Sequence, residues 1–197
     1  MRTARGYTLV EALVVLALVG ITAALVMPDL FQVRRTTDFI RLSRQIAADA
    51  LRCKMEALVS CRHVGLVFCE VEDRPYYVMV ADGDADGVSR SDFNRGVDRP
   101  LGPKVWVHFM SGGTRLGVPS AWRVPDPSGG GTLDERGLRL GSSGIMSFAN
   151  TGGATPSSVY FNDGRERVLA IRVHGALGRV RALMWKRGWT QWQEIRL

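Results

Sequence analysis

Apolar residues fall along this chain in three different rhythms. From Tyr7 to Met27 the run YTLVEALVVLALVGITAALVM is almost continuously apolar, and only Thr8, Glu11 and Thr22 are clearly polar. Such a run spans roughly 30 Å as a helix, the thickness of a bilayer's hydrocarbon core. The segment is therefore expected to cross a membrane. After Pro28 the rhythm turns helical: Phe39, Leu42, Ile46 and Ala50 recur at three- and four-residue spacing, and Ile40, Ala47, Leu51, Met55 and Leu58 widen the stripe. Asp38, Arg41, Gln45, Asp49, Arg52 and Glu56 take the opposite face, with Arg34–Asp38 and Arg52–Glu56 spaced for i,i+4 pairing. Pro28 is expected to kink this long helix or weaken it locally.

Past Ser60 the period shortens to β-like runs between turn residues. They are His63–Cys69, Tyr76–Ala81, Val105–Met110, Ile145–Ala149, Val159–Asn162, Val168–His174 and Arg179–Trp185, with a final run at Trp189–Ile195. Pro125–Gly137 and Asp82–Pro103 read as loops. The layout predicts an α+β fold: a long N-terminal helix, membrane-spanning in its first half and amphipathic in its second, packed on an antiparallel β-sheet head. Its expected divisions are a leader at 1–6, a transmembrane or filament-core helix at 7–28, an amphipathic helix at 29–60, and a β-rich head with a basic C-terminal extension at 61–197.

Composition narrows the class. The 197 residues are 46% hydrophobic and 23% charged, ordinary for a globular protein and unlike a disordered tail or fibrous repeat. The formal charge is +7, and residues 164–197, with eight basic and two acidic side chains, hold +6 of it. Any electrostatic attraction to an acidic partner must be sought there. Enzyme signatures are absent: His63, His108 and His174 lie in strand-like runs without motif partners, and GSSG at 141–144 lacks nucleophile-elbow spacing. No catalytic residue is expected. Cys53, Cys61 and Cys69 lack zinc-ligand spacing. If Cys61 and Cys69 bracket one strand they lie too far apart for a disulfide, whereas a helix-to-strand bridge from Cys53 stays open.

Glu11 is the anomaly of the apolar run. A bare carboxylate there costs roughly 2.5–3.5 kcal/mol on the milder insertion scales, so it needs a counter-charge. A free amine at Tyr7 on a neighbouring copy of the chain supplies one, provided the chain is cut after Gly6. At these residues the sequence RGYTLVEALVVLALVGITAALVMP resembles the N-terminal signal of type IV pilins and type II secretion pseudopilins. That signal is a short basic leader ending in Gly, an aromatic first mature residue, Glu at mature position five and Pro at position twenty-two. Gly6, Tyr7, Glu11 and Pro28 fall on these positions, with Tyr7 in place of the commoner Phe. IMSFANTGGA at 145–154, VYFN, VLAIRVH and GRVR are similar to the sheet region of pseudopilin H and FimT-type minor pilins.

The resemblance implies a bacterial inner-membrane protein with a single pass and a periplasmic head. It implies cleavage and N-methylation at Gly6–Tyr7 by a prepilin peptidase, and assembly with other pilin or pseudopilin subunits through the N-terminal helix. FimT-type pilins that take up DNA use arginines in a G-R-x-R segment, which carries a DNA contact onto Arg179 and Arg181. On a strand those two share one face. Lys186 and Arg187 follow, with Trp185, Trp189 and Trp192 beside them as base-stacking surfaces or, alternatively, as closure of the core.

One further motif stands apart. Asp82, Asp84, Asp86 and Gly87 match the first half of a D-x-D-x-D-G calcium loop, while the twelfth position is Phe93 where a bidentate Glu belongs. Asp92 or Asp98 as a substitute ligand, and an acidic hairpin without any metal, are the two ways to read it.

Overall fold

The computed structural model describes residues 8–134 and 137–196, and the side chains within them except those at 25, 26 and 28–32. The expected leader, with Gly6, and the first mature residue, Tyr7, lie outside these residues. The chain divides into two compact units, 1–37 and 38–197, and helix α1 (Leu9–Ser60) belongs to both. The kink expected at Pro28 falls on a residue whose side chain is outside the described set.

Over Leu9–Ile21 of the first unit, Glu11 apart, α1 carries exposed apolar side chains on every side. Leu9, Val10, Leu13, Val14, Val15, Leu16, Leu18, Val19 and Ile21 are all more than half exposed. The hydroxyl of Thr22 is satisfied within the helix by the carbonyls of Leu18 and Val19, both at 3.0 Å. Among the described residues no helix is long and apolar enough to cross a membrane.

In the second unit α1 buries Phe39, Leu42, Ile46, Ala47 and Ala50 of the predicted stripe, and Cys53 and Ala57 besides, while Ile40 is half-buried. Leu51 and Met55, expected to widen it, are 43% and 60% exposed, and Leu58 is 40% exposed. The buried face is therefore narrower than the expected stripe, and Ala47, Ala50 and Ala57 are among the residues that line it. Asp38 takes Arg41 as its ion-pair partner, at 3.6 Å.

Among the described residues eleven strands follow, all paired antiparallel. The first sheet runs β3 (Arg99–Pro100), β2 (Arg74–Ala81), β1 (Val64–Val71), β7 (Met146–Phe148), with β4 (Val105–Trp106) also on β2. The second runs β11 (Gln193–Ile195), β10 (Arg179–Lys186), β9 (Arg167–His174), β8 (Ser157–Asn162), β5 (Arg115–Leu116), with β6 (Leu138–Arg139) also on β8. Side-chain alternation sends one set of residues from each sheet to α1. Leu66, Phe68, Tyr77, Met146, Phe148, Val159, Phe161, Leu169, Ile171, Val180 and Ala182 join the helix stripe in one core.

Loops cover both outer faces. Val118, Val124 and Leu133 lie over Tyr160, Val168, Ala170, Leu183 and Trp185 on the second sheet. Val88 and Phe93 lie over Val67, Val78, Val80 and Ile145 on the first.

Two predicted elements are corrected. The run Val105–Met110 is strand only at Val105–Trp106 and then turns into a short helix, α3 (Val107–Met110). Within the loop Asp82–Pro103, Ser89 caps a further helix, α2 (Arg90–Arg95), by accepting the Asp92 amide, and Gly96 at φ 77° ends it. His108 therefore sits on a helix, not a strand, with its Nδ1 buried and unpaired. All three cysteines are free thiols, so the Cys53 bridge is absent. Burial pushes the Cys53 thiol well above its ordinary pKa.

Candidate functional site

The first candidate site is the start of α1. Thr8 and Glu11 form a reciprocal capping box: the Glu11 amide donates to Thr8 Oγ1 at 3.2 Å, while the Thr8 amide and hydroxyl donate to Glu11 Oε2 at 3.1 and 3.2 Å. This Thr-x-x-Glu pattern was readable in the sequence as a helix start but was not singled out there. In the single chain Glu11 is exposed, and its counter-groups are local donors at the positive end of the helix. The carboxylate is therefore presented at the end of an apolar rod with no apolar partner of its own.

The second candidate is β10. Gly178, at φ 55°, closes the β9–β10 turn, where a Cβ would come within 3.0 Å of the Gly152 carbonyl oxygen. The turn is tied to the helix by Lys54 Nζ, which donates to the Leu177 carbonyl at 2.7 Å. Arg179 and Arg181 lie on one face, as alternation requires: Val180 and Ala182 point to α1, while Leu183 and Trp185 join the outer cluster. Arg179 is exposed and stands opposite His174.

Arg181 is engaged. Its Nε and Nη2 donate to Glu194 Oε1 and Oε2 at 2.9 and 2.5 Å, a bidentate pair that raises the arginine's pKa and lowers the glutamate's. Glu194 reaches it because the β10–β11 register sets Leu183 opposite Glu194, a pairing no spacing rule exposed. Lys186 and Arg187 sit at the far end of β10, about 23 Å from Arg179 at strand rise. Lys186 Nζ pairs with Glu166 Oε2 at 3.4 Å, and Arg167 shares that carboxylate at 3.1 Å. The four basic residues thus form two separate pairs.

The tryptophans close the outer cluster. Trp185 is 4% exposed and its indole N–H donates to the Trp189 carbonyl at 2.8 Å, while Trp192 donates to the Pro125 carbonyl at 2.7 Å. Trp185 offers no face for base stacking because that face is spent on Leu183, Val168 and their neighbours.

The third candidate is the acidic loop. The carboxylates of Asp82, Asp84 and Asp86 lie within 4.8 Å of one another, the spacing of ligands for one hard cation. Asp82, 3% exposed, is turned into the loop and accepts the amides of Asp84, Ala85 and Gly87. A hydrogen bond with Asp84 and that neighbour's charge raise the Asp86 carboxyl's pKa. Asp92 and Asp98, the substitutes for the missing twelfth ligand, are held elsewhere. Asp98 accepts the Gly83 and Ser89 amides at 3.2 and 2.9 Å, and Asp92 is bound by Ser89 and Arg95. Ser89 and Arg95 hold the Asp92 carboxyl below its ordinary pKa.

Comparison with known proteins adds one match. No curated protein and no solved structure matches the chain. Residues 1–27 match the family model of the prokaryotic N-terminal methylation motif, and this supports a type IV pilin-like protein.

Proposed function

We propose that the chain is a minor pilin or pseudopilin, a non-enzymatic subunit of a type IV pilus or a type II secretion pseudopilus. It would be held in the bacterial inner membrane with its head in the periplasm, processed after Gly6 and inserted into a filament through α1. The observation that carries this reading is the methylation motif over residues 1–27, laid on a helix start whose apolar side chains are exposed all round. A helix of that kind is stable only inside a core, a bilayer or an assembly. In such a setting Glu11 pairs with the amine of Tyr7 on an adjacent subunit, where low dielectric strengthens the pair and makes an unmatched charge costly.

Two measurements test it. Mass spectrometry of protein extracted from its host is expected to find residues 1–6 removed and the Tyr7 amine methylated; an intact hexapeptide in the presence of the peptidase refutes processing. Glu11→Ala is expected to lose filament incorporation while the head still folds, and normal incorporation of that variant refutes the pairing.

A DNA-uptake role is the second reading, favoured by the one face that Arg179, exposed, and Arg181, held by Glu194, share on β10. In gel-shift titrations wild type would retard DNA and an Arg179/Arg181 double Ala variant would not. Equal retardation by both proteins removes this reading.

A further inference from the structure

One end of the second sheet gathers cations that the carboxylates beside them do not cover. Lys186 ends β10 opposite Arg167, and the Arg187 amide donates to the Glu166 carbonyl at 2.6 Å, so the β8–β9 and β10–β11 turns lie side by side. Of the two acids there, Glu166 is shared between Arg167 and Lys186. Asp163 turns its Oδ1 onto the amides of Arg165, Glu166 and Arg167 at 3.0, 3.0 and 2.9 Å. Arg165 and Arg187 are exposed and have no carboxylate partner among the described residues. Trp189 follows in the same turn as Arg187, its amide bonded to the Lys186 carbonyl at 2.8 Å, and it is half-buried at the margin of the outer cluster.

Two ties between helix and sheets fix which end of the head this is. At the start of β10, Lys54 of α1 holds the Leu177 carbonyl. Further along, Asp49 accepts the Tyr77 hydroxyl; the Tyr77 ring lies 5.8 Å from Phe68, and Phe68 lies 6.2 Å from Phe161. Phe161 stands opposite Leu169, and Leu169 opposite Met184, near the end of β10. Moving forward along β10 is therefore moving back along α1. Lys186–Trp189 mark the end of the head toward Asp38, where the chain enters the second unit.

We propose that this end of the head docks on an anionic bilayer surface, with Arg165, Lys186 and Arg187 meeting lipid phosphates and Trp189 seated at the interface. The inference rests on the reading of the chain as a membrane-held subunit. Cations and an amphipathic indole on adjoining turns are the combination that the boundary of an anionic membrane attracts. Asp38 joins the head to the apolar segment, so a bilayer holding that segment stays within reach of this end at an effective concentration that a dissolved polyanion does not match. Docking of this kind keeps the head down on the membrane before assembly.

The full-length protein in nanodiscs of brominated phosphatidylcholine, with or without phosphatidylglycerol, tests the surface by quenching of tryptophan fluorescence. No tryptophan lies in α1, so quenching reports on the head. With phosphatidylglycerol present, wild type is expected to be quenched, and Trp189→Phe to lose most of that quenching. Arg165→Gln combined with Arg187→Gln should lose most of it too, while Arg179→Gln, at the opposite end of β10, should leave it unchanged. Added salt should relieve the quenching, because exposed charges are screened. Equal quenching in wild type and the Arg165/Arg187 variant, or with and without phosphatidylglycerol, overturns the docking surface. Quenching abolished by a single-stranded oligonucleotide marks a nucleic-acid surface and overturns the lipid assignment. Should the Arg165/Arg187 variant fail to fold by circular dichroism, salt and Trp189→Phe decide: quenching indifferent to salt, or unchanged in Trp189→Phe, overturns the proposal. A chain that does not enter the discs refutes the membrane reading and the proposal with it, whereas one that enters without quenching refutes the docking alone.

Discussion

Tyr77 of β2 donates its hydroxyl to Asp49 Oδ2 of α1 at 2.6 Å, joining helix to sheet at the margin of the main core. Burial, reinforced by Asp49, pushes the Tyr77 hydroxyl far above its ordinary pKa, so it stays a donor at every physiological pH. Among the described residues, Tyr77→Phe leaves Asp49 with Gln45 Nε2 alone, at 3.1 Å. The expected loss is about 1–2 kcal/mol of stability, read as a lower urea midpoint with unchanged slope. An unaltered midpoint would show that water replaces the tyrosine without cost.

Trp185 is predicted to matter for folding rather than for binding. Trp185→Ala should cost about 3–5 kcal/mol, the usual range for emptying a buried aromatic site, whereas Arg187→Ala should stay within about 0.5 kcal/mol of wild type. Comparable melting temperatures for the two variants contradict the closure role assigned to the outer cluster.

Acid should loosen the loop over the second sheet. Burial raises the Asp126 carboxyl's pKa, but hydrogen bonds from Arg139 and Ser128 outweigh it, and the net shift is downward. A carboxyl depressed in the folded state stabilises it above the unfolded pKa of about 3.9 and loses that contribution as pH falls through the lower folded value. Glu194, lowered by Arg181, acts in the same direction. The protection of the Leu133 amide, bonded to the Val124 carbonyl at 2.9 Å, against hydrogen exchange relative to its intrinsic rate should therefore fall below about pH 4. In Asp126→Asn that acid-dependent loss of protection should shrink. Identical pH profiles for the two proteins would exclude Asp126 as the cause.

Thr8 separates capping from assembly. Thr8→Ala removes the hydroxyl that accepts the Glu11 amide and should cost the helix start about 1 kcal/mol, yet it keeps the carboxylate and should still enter filaments. If Thr8→Ala loses incorporation as completely as Glu11→Ala, the cap and not the charge is what assembly requires.

How far the chain could be read before its structure was known depended on how local each determinant is. The buried stripe Phe39–Leu42–Ile46–Ala50 and the strands β1, β2, β8, β9 and β10 announce themselves because period and burial agree within a few residues. The two-residue strands β3, β5 and β6 carry no such pattern, since each exists only as an edge partner of β2 or β8. Arg179 and Arg181 were legible as residues sharing a face, but Glu194 as Arg181's counter-ion was not, because thirteen residues separate them and only the hairpin register joins them. Likewise Asp82, Asp84 and Asp86 were found by spacing, whereas the commitment of Asp98 to the Gly83 and Ser89 amides depends on a loop closure that no local rule encodes. There the fit is tight enough that a Cβ on Gly83 would lie 2.0 Å from the Val97 carbonyl oxygen.

Each sheet of the head is roofed by the chain's own connections, Val118–Leu133 over one and Val88–Phe93 over the other. The apolar part of each broad plane is thereby covered. On the proposed filament reading, neighbours would meet the chain at its loop tips, its strand margins and the outward flank of α1, where Leu51, Met55 and Val59 stand in solvent. On that reading the residues that would make contact and the residues that hold the fold together are different ones.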